Sequence, residues 1–335
     1  MQIYGIDLSK DKFDVNFVEE SGKEKNKEVK QKFSPMVRFL KSIPQDGVIC
    51  AEYTGTYGDK LVFLCNQMNV RIALIPGYTI KHSFGIVKGK SDPVDAKRIR
   101  EYGERFRDKL KYKEYDSEDI MELRTLYALR AEFVKTKKQL QTAIHSRSLL
   151  PFQSIKLNKF QREAFNDIKE RIKEINNEME AIIIANKELK ESYEYARSVT
   201  GVGPVIATEL IIKTGNFQNI NTARKAASYA GVCPFPNSSG KMVKKSKTSP
   251  FADKKLKTIL HMGAKAAVEH DASFKLYFQR KQLEGKPYYL IMNNVSNKLL
   301  RTVYSVVKSK SYYLRNYNCP DPREKNINSS NEKVA

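Results

Sequence analysis

Tryptophan is absent from this chain of 335 residues, and cysteine and histidine occur only four times each. Cys50, Cys65, Cys233 and Cys319 form no C-x-x-C pair and no framework spacing, so they read as ordinary thiols of a reducing compartment. His82, His145, His261 and His270 include no H-E-x-x-H, which leaves a structural or catalytic zinc without its usual ligands. No stretch approaches the roughly 18 uninterrupted apolar residues that would cross a bilayer. The opening Met1-Gln2-Ile3-Tyr4-Gly5-Ile6-Asp7 lacks the basic start and apolar run of a signal peptide. Secreted, membrane-spanning and zinc-enzyme readings are excluded, and a cytoplasmic protein is expected.

Acidic residues are also in short supply. The 38 Asp and Glu stand against 60 Lys and Arg, a formal net charge of +22. A charge of this size attracts polyanions over long range and implies salt-sensitive binding to nucleic acid. A generally lysine-rich proteome is the bland source of the same number. Hydrophobic residues make up 41%, enough to bury real cores. At roughly 100–200 residues per domain, the length suits two domains or three.

Along the chain, residues 2–8 and 12–19 are β-rich runs joined by Ser9-Lys10-Asp11, and a third alternating run ends near Phe33. A short helix is expected after Pro35, with Val37, Phe39 and Leu40 facing inward. Val48-Ile49-Cys50-Ala51 is a continuous apolar run, as in a strand buried on both faces, and it leads into Glu52. A helix over Tyr57 to Met68 and a strand over Val70 to Ile75 complete an α/β pattern. From about Asp116 the period changes. Leu126, Leu129, Phe133, Leu140 and Ile144 keep near-heptad spacing, with Thr136 filling the gap, and Ile168, Ile172, Ile175, Met179 and Ile182 alternate steps of four and three. The break at Pro151 predicts an antiparallel hairpin of helices, or arms that pair with another subunit. Residues 196–315 read as helical, with loops at Thr200–Pro204 and Pro234–Pro250, and the polar tail from Cys319 reads as disordered.

Four acids stand out. Asp7 ends the first strand and Glu52 the fourth, while Asp92 and Asp95 lie three apart at a helix start. A sheet in the order 3-2-1-4-5 would set Asp7 beside Glu52, and a helix after the fifth strand could bring the other two. Clustered carboxylates suit magnesium or manganese, and paired ions serve phosphodiester chemistry. Helix capping explains Asp92 and Asp95 equally well, and Gly5-Ile6-Asp7-Leu8-Ser9 also resembles a sugar-kinase phosphate loop, although no later glycine-rich adenosine loop follows. Gly201-Val202-Gly203-Pro204 fits a helix-hairpin-helix turn whose backbone contacts a phosphate, or simply a tight turn between packed helices. Ser238-Ser239-Gly240 precedes seven lysines between Lys241 and Lys257, among them Lys244, Lys245 and Lys247. The lysines suit phosphate contacts; a solvated loop is the plainer reading of the serines.

Together these segments resemble the insertion-sequence 110 family of transposases, with its DEDD catalytic domain, over residues 2–315. Tyr4-Gly5-Ile6-Asp7-Leu8-Ser9-Lys10, Glu52-Tyr53-Thr54-Gly55-Thr56-Tyr57 and Lys90-Ser91-Asp92-Pro93-Val94-Asp95-Ala96 are similar to its acidic motifs. Thr200-Gly201-Val202-Gly203-Pro204, Tyr229-Ala230-Gly231-Val232-Cys233-Pro234 and Ser238-Ser239-Gly240 are similar to its carboxyl-terminal domain. One departure follows Ser246-Lys247: Thr248-Ser249-Pro250 stands where many members carry a basic residue and Gly-Asn.

The resemblance implies α/β plus all-α architecture: a RuvC-like, RNase H-fold mixed-sheet domain at 1–112, a coiled coil at 113–195, a helical transposase domain at 196–318 and a disordered tail at 319–335. It implies that Asp7, Glu52, Asp92 and Asp95 hold magnesium (or manganese) and that Ser239, with Ser238 as the fallback, attacks DNA to form a phosphoserine link. Lys10, Lys90, Gly201, Gly203, Lys241, Lys244, Lys245 and Lys247 are the expected nucleic-acid contacts. The expected partners are donor and target DNA, a guide (bridge) RNA from the same element and further copies of the chain as a dimer or tetramer, at a bacterial or archaeal nucleoid and away from membranes. Two rivals remain at this stage: a RuvC-like junction nuclease using metal-activated water, and a non-catalytic nucleic-acid-binding scaffold.

Overall fold

The computed structural model describes residues 1–84, 92–152, 154–239 and 242–315, with the side chains of 236–239 and 242–247 excepted. Lys90, Lys241 and the tail from residue 319 lie outside the described residues. The chain divides into two compact units, residues 1–116 and the residues from 117 on.

The first unit begins with β1 (Ile3–Leu8), β2 (Lys12–Val18) and β3 (Glu24–Lys30), followed by α1 (Phe33–Lys41) and β4 (Val48–Glu52). A 3₁₀ turn at Gly55–Gly58 leads to α2 (Asp59–Gln67), β5 (Arg71–Ile75), α3 (Gly77–Ser83) and α4 (Asp92–Arg105). The sheet order is β3-β2-β1-β4-β5, as the sequence predicts, with the hairpins antiparallel and β4 and β5 parallel to β1. Together with the helices on its faces, this is the RNase H-like arrangement the acidic motifs imply.

Strand parity assigns the side chains to two layers. Tyr4, Ile6, Leu8, Phe13, Val15, Ile49 and Ala51 join Met36, Phe39 and Leu40 of α1 and Leu61, Val62 and Leu64 of α2 in one core. Ile3, Val48, Cys50, Ala73 and Ile75 form the other with Ile99 of α4. In α1 Phe39 and Leu40 are fully buried and Val37 packs partly buried against the same core, as expected; Met36 joins them fully buried, because the helix starts at Phe33 and spacing from Phe39 and Leu40 turns it inward.

Helix α4 lies unusually close to the sheet. A Cβ at Gly5 would overlap the Ala96 carbonyl and the Arg100 backbone, and one at Gly103 would sit 2.6 Å from Cys50 Sγ. Polar contacts then fix its rotation. Arg100, 6% exposed, donates from Nε to Asn16 Oδ1 at 2.6 Å and pairs with Glu104 at 2.7 Å. Fully buried Asn16 donates in turn to Glu24 at 2.9 Å and Asn26 at 2.7 Å, while Lys97 reaches Glu24 at 2.8 Å.

The second unit opens with two 31-residue helices, α5 (Glu118–Ser148) and α6 (Ile155–Ala185), each about 46 Å long at 1.5 Å per residue. Asp119 meets Asn186 and Arg130 meets Asn176, both at 2.6 Å, so the helices run antiparallel as a hairpin. The α6 seam is the expected one. On α5 the expected Leu126, Phe133, Leu140 and Ile144 are partly buried, but Leu129 is 41% exposed and Thr136 exposed, and Arg130 and Lys137 are partly buried beside them. Two long basic side chains therefore occupy seam positions, their alkyl stems providing apolar cover that the letters alone do not advertise.

The hairpin root, at Ile120, Leu123, Ile175, Met179 and Ile183, belongs to one core with the helices that follow. These are α7 (Lys187–Ser198), α8 (Pro204–Thr214), α9 (Ala223–Tyr229), α10 (Lys254–His270), α11 (Ala272–Leu283) and α12 (Tyr288–Ser309). The segment expected to be a loop after Pro234 contains a two-stranded hairpin, β6 (Phe235–Ser239) and β7 (Met242–Lys247). Lysine-rich polar strands carry little hydrophobic periodicity, which hides them from a pattern search. Among the described residues, no helix is long and apolar enough to cross a membrane.

Gly5→Val should wedge α4 from the sheet and destabilise the first unit by about 1–3 kcal/mol. Thermal unfolding of the full chain followed by far-UV circular dichroism should show that unit's transition fall while the helical second unit's holds.

Candidate active site

Parity puts Asp7 on the same sheet face as Gly5, and Glu52 on the same face as Cys50 and Val48. That is the α4 face, and both acids stand at the carboxyl ends of adjacent parallel strands. On α4, Ala96, Ile99, Arg100 and Gly103 are the buried positions, so Asp92 and Asp95 in the first turn lie at the end of the sheet-facing stripe. Asp92 is the first described residue of this helix, and the residue before it lies outside the described residues.

The electrostatics show the convergence. The Asp7 carboxyl is pushed up to about 6, first by burial and then by the charges of Asp95, Glu52, Asp92 and Asp14. All four expected acids thus come within electrostatic reach of one another. Asp14 was not singled out from the sequence. It pairs directly with Asp7 across the β1–β2 ladder, and its own carboxyl is raised by burial against the opposing pull of Lys12, 3.8 Å away. The hairpin register between residues 7 and 14 was the signal that could have found it.

Other contacts aim the acids. Asp95 accepts from Arg98 at 2.8 Å, one turn on. A Cβ at Gly77 would overlap the Glu52 carboxylate, so a glycine at the start of α3 makes room for it. Gly55, with φ +76°, turns the chain out of β4 just beyond Glu52. Lys10 is exposed in the β1–β2 turn, closed by Ser9 donating to the Lys12 carbonyl at 2.7 Å.

The donor set is hard oxygen and bears excess negative charge, which fits a divalent cation chemically. Among the described residues, no three acids, histidines or cysteines converge as a closed metal site. The carboxylates therefore surround a shared region, and would have to draw inward to enclose an ion.

In the second unit, Gly201 and Gly203 prove unlike each other. Gly201 has φ +93°, and a Cβ there would overlap the Gly263 carbonyl and come within 3.0 Å of Ala267, so it packs against α10. Gly203 precedes α8 and faces open space. Ser239 is the last residue of β6, opposite Met242, and Ser238 is opposite Val243. Lys244, Lys245 and Lys247 lie on β7, where Lys244 pairs with Asn237 and Lys247 with Phe235. The side chains of these serines and lysines are outside the described part of the structure.

Comparison with known proteins finds two family models along the chain. A DEDD-type IS110 transposase model matches residues 4–151, and a model described as "Transposase IS116/IS110/IS902 family" matches residues 193–279. The pilin gene-inverting protein of Moraxella bovis is 24% identical over 261 residues, covering 77% of this chain and 79% of its own. The insertion element IS110 uncharacterized 43.6 kDa protein of Streptomyces coelicolor is 24% identical over 116 residues, covering 35% of this chain and 29% of its own. The DEDD-type match suggests dependence on a divalent metal.

A pH dependence follows from Asp7. Its folded pKa is raised, so in the absence of divalent cations the folded chain binds more protons at this site than the unfolded one between the two values. Stability should therefore fall as pH rises from about 4 through about 6. Asp7→Asn should remove that component, measured as the wild-type-minus-variant difference in melting temperature across the range, in chelator.

Proposed function

This chain belongs to the IS110 family of transposases, DNA-cleaving and rejoining enzymes of insertion sequences, and we propose that it acts through the carboxylates around Asp7 together with Ser239 on the β6–β7 hairpin. The observation that carries the reading is the gathering of Asp7 and Glu52 on one sheet face with Asp92 and Asp95 in the first turn of α4, where burial first and then the neighbouring carboxylates raise Asp7 to about 6. A structural surface gains nothing from such repulsion; a site that receives a cation and a phosphodiester does.

Asp7, Glu52, Asp92 and Asp95 would hold magnesium, or manganese, which when bound would neutralise charge growing on the phosphate oxygens. The chain's own residues do the rest. Arg98 holds Asp95, and the glycine at position 77 leaves Glu52 its place. The Ser239 oxygen would attack phosphorus, forming a phosphoserine ester as the 3′ oxygen leaves with the proton. Attack by a DNA 3′ hydroxyl on that ester would rejoin the strand and return the proton to serine. The bond count is conserved, so no nucleotide triphosphate is required.

The +22 charge supports a further nucleic-acid partner besides the donor and target duplexes. We assign that role to a guide RNA encoded beside the gene, with Lys10, Lys90, Lys241, Lys244, Lys245 and Lys247 among the phosphate contacts and Gly203 as an exposed backbone contact before α8. Gly201 serves the turn. Assembly as a dimer or tetramer at the nucleoid completes the reading, with domains at 1–112, 113–195 and 196–318.

Ser239→Ala should abolish both the detergent-resistant protein–DNA adduct and recombinant product, while Ser238→Ala retains them. Recombinant product at the normal rate from Ser239→Ala would leave the water-based nuclease reading in its place. Asp7→Ala and Asp92→Ala should each lower cleavage by roughly 100-fold or more with DNA binding retained; full activity in both would reduce the protein to a scaffold. Salt-resistant co-purification of a transcript from the flanking DNA would test the guide.

A further inference from the structure

A charged chain of side chains runs from α8 to the segments that flank the β6–β7 hairpin. Glu209 of α8 is only 2% exposed. It accepts a hydrogen bond from the Tyr127 hydroxyl of α5, and its Oε1 stands 3.9 Å from Lys213 Nζ one turn further along α8. Its Oε2 has no hydrogen-bond partner among the described residues. Lys213 reaches past it to Asp253 Oδ2 at 2.9 Å. Asp253 also accepts from Tyr229 Oη at 3.3 Å, and its backbone N–H donates to the Tyr229 carbonyl at 2.8 Å. Its other carboxylate oxygen caps α10 through Leu256 N at 2.9 Å.

Placement gives this chain its meaning. Tyr229 ends α9 six residues before Phe235, and Asp253 precedes α10 six residues after Lys247. Phe235 and Lys247 are the paired feet of the hairpin. The Tyr229–Asp253 contact is therefore a second latch below the first, holding the entering and leaving segments together. Between them Gly231, with φ +66°, leaves room for Ala252, where a Cβ would come to 2.6 Å, and Asn293 of α12 donates to the Val232 carbonyl at 3.0 Å.

Lys213 is partly buried, its side chain 31% exposed, and it bridges the deeply buried Glu209 and the more accessible Asp253. Burial pushes Glu209 up despite Lys213, while the hydrogen bond to Asp253 and the nearby acidic groups outweigh burial and keep Lys213 above its ordinary range. The ammonium thus stays charged, with the Glu209 carboxyl on one side of it and the Tyr229–Asp253 contact on the other.

We propose that Lys213 is a positioning residue: backed by Glu209 and Tyr127, it grips the Tyr229–Asp253 latch and so fixes the β6–β7 hairpin against α8. The catalytic consequence rests on the reading of Ser239 as nucleophile, since the clamp then sets where that serine is presented. The mechanical part stands without it, and the test separates the two.

Hydrogen exchange on the full-length chain reads the clamp directly. Lys213→Met should raise exchange at the amides of residues 235–239 and 242–247 by about tenfold, with α10 and α12 unchanged, and Lys213→Arg should restore most of the protection. Unchanged hairpin exchange, or an equal rise throughout the second unit, would overturn the inference. In recombination on DNA, Lys213→Met should lower the turnover rate by about tenfold with Kd for DNA within about twofold, again with rescue by arginine. A loosened hairpin that recombines at the normal rate would also overturn the positioning role. If Ser239→Ala recombines normally, the serine reading fails while the exchange result still decides the clamp.

Discussion

The missing side chain at Gly5 allows α4 to lie directly on the first strand, and the carboxylate site is built on that contact. Ala96 and Gly103 continue the close approach along the helix, and Arg100, anchored on buried Asn16, prevents the helix from rolling. The first turn of α4 then arrives over the ends of β1 and β4 with Asp92 and Asp95 on the sheet side. A larger residue at any of these contacts would separate acids that are themselves untouched. Packing here overcomes a repulsion that would otherwise drive four carboxylates apart.

Much of the first unit was legible because its logic is periodic. An apolar run that ends in Glu52, an alternating hairpin after Asp7 and strands joined by helices are compatible with the strand order that sets Asp7 beside Glu52, and strand parity does the rest. Asp14 escaped because its significance depends on hairpin register, a relation between two strands that neither reveals alone. The basic seam positions on α5 escaped for a different reason. Leu129 looks like a core residue and Arg130 does not, yet a guanidinium with Asn176 opposite it and a long alkyl stem fills the position that helix geometry requires.

The second unit shows the limit of motif reading most plainly. Tyr127, Glu209, Lys213, Tyr229 and Asp253 span three helices and a cap, and no spacing in the chain unites them. A lone buried glutamate inside the apolar run Val205–Ile212 is the only hint, and its partner Lys213 reads as an ordinary helix-end cation. The β6–β7 hairpin is likewise poor in apolar letters. Its strands are recognised by pairing, and the two glycines before α8 part company only when their surroundings are known.

The α5–α6 hairpin behaves as a lever held at its root. Its buried members in the helical core lie at the root, with side chains as far as Phe133 packed against that core, and toward the bend Leu149, Leu150, Phe152 and Ile155 are all more than half exposed. Over an arm of about 46 Å, a tilt of ten degrees at the root sweeps the far end through roughly 8 Å. A methyl group lost at Leu123 or Ile183 can therefore be felt as displacement far from where it was removed. Side chains that touch nothing but their neighbours at the fulcrum become determinants of reach.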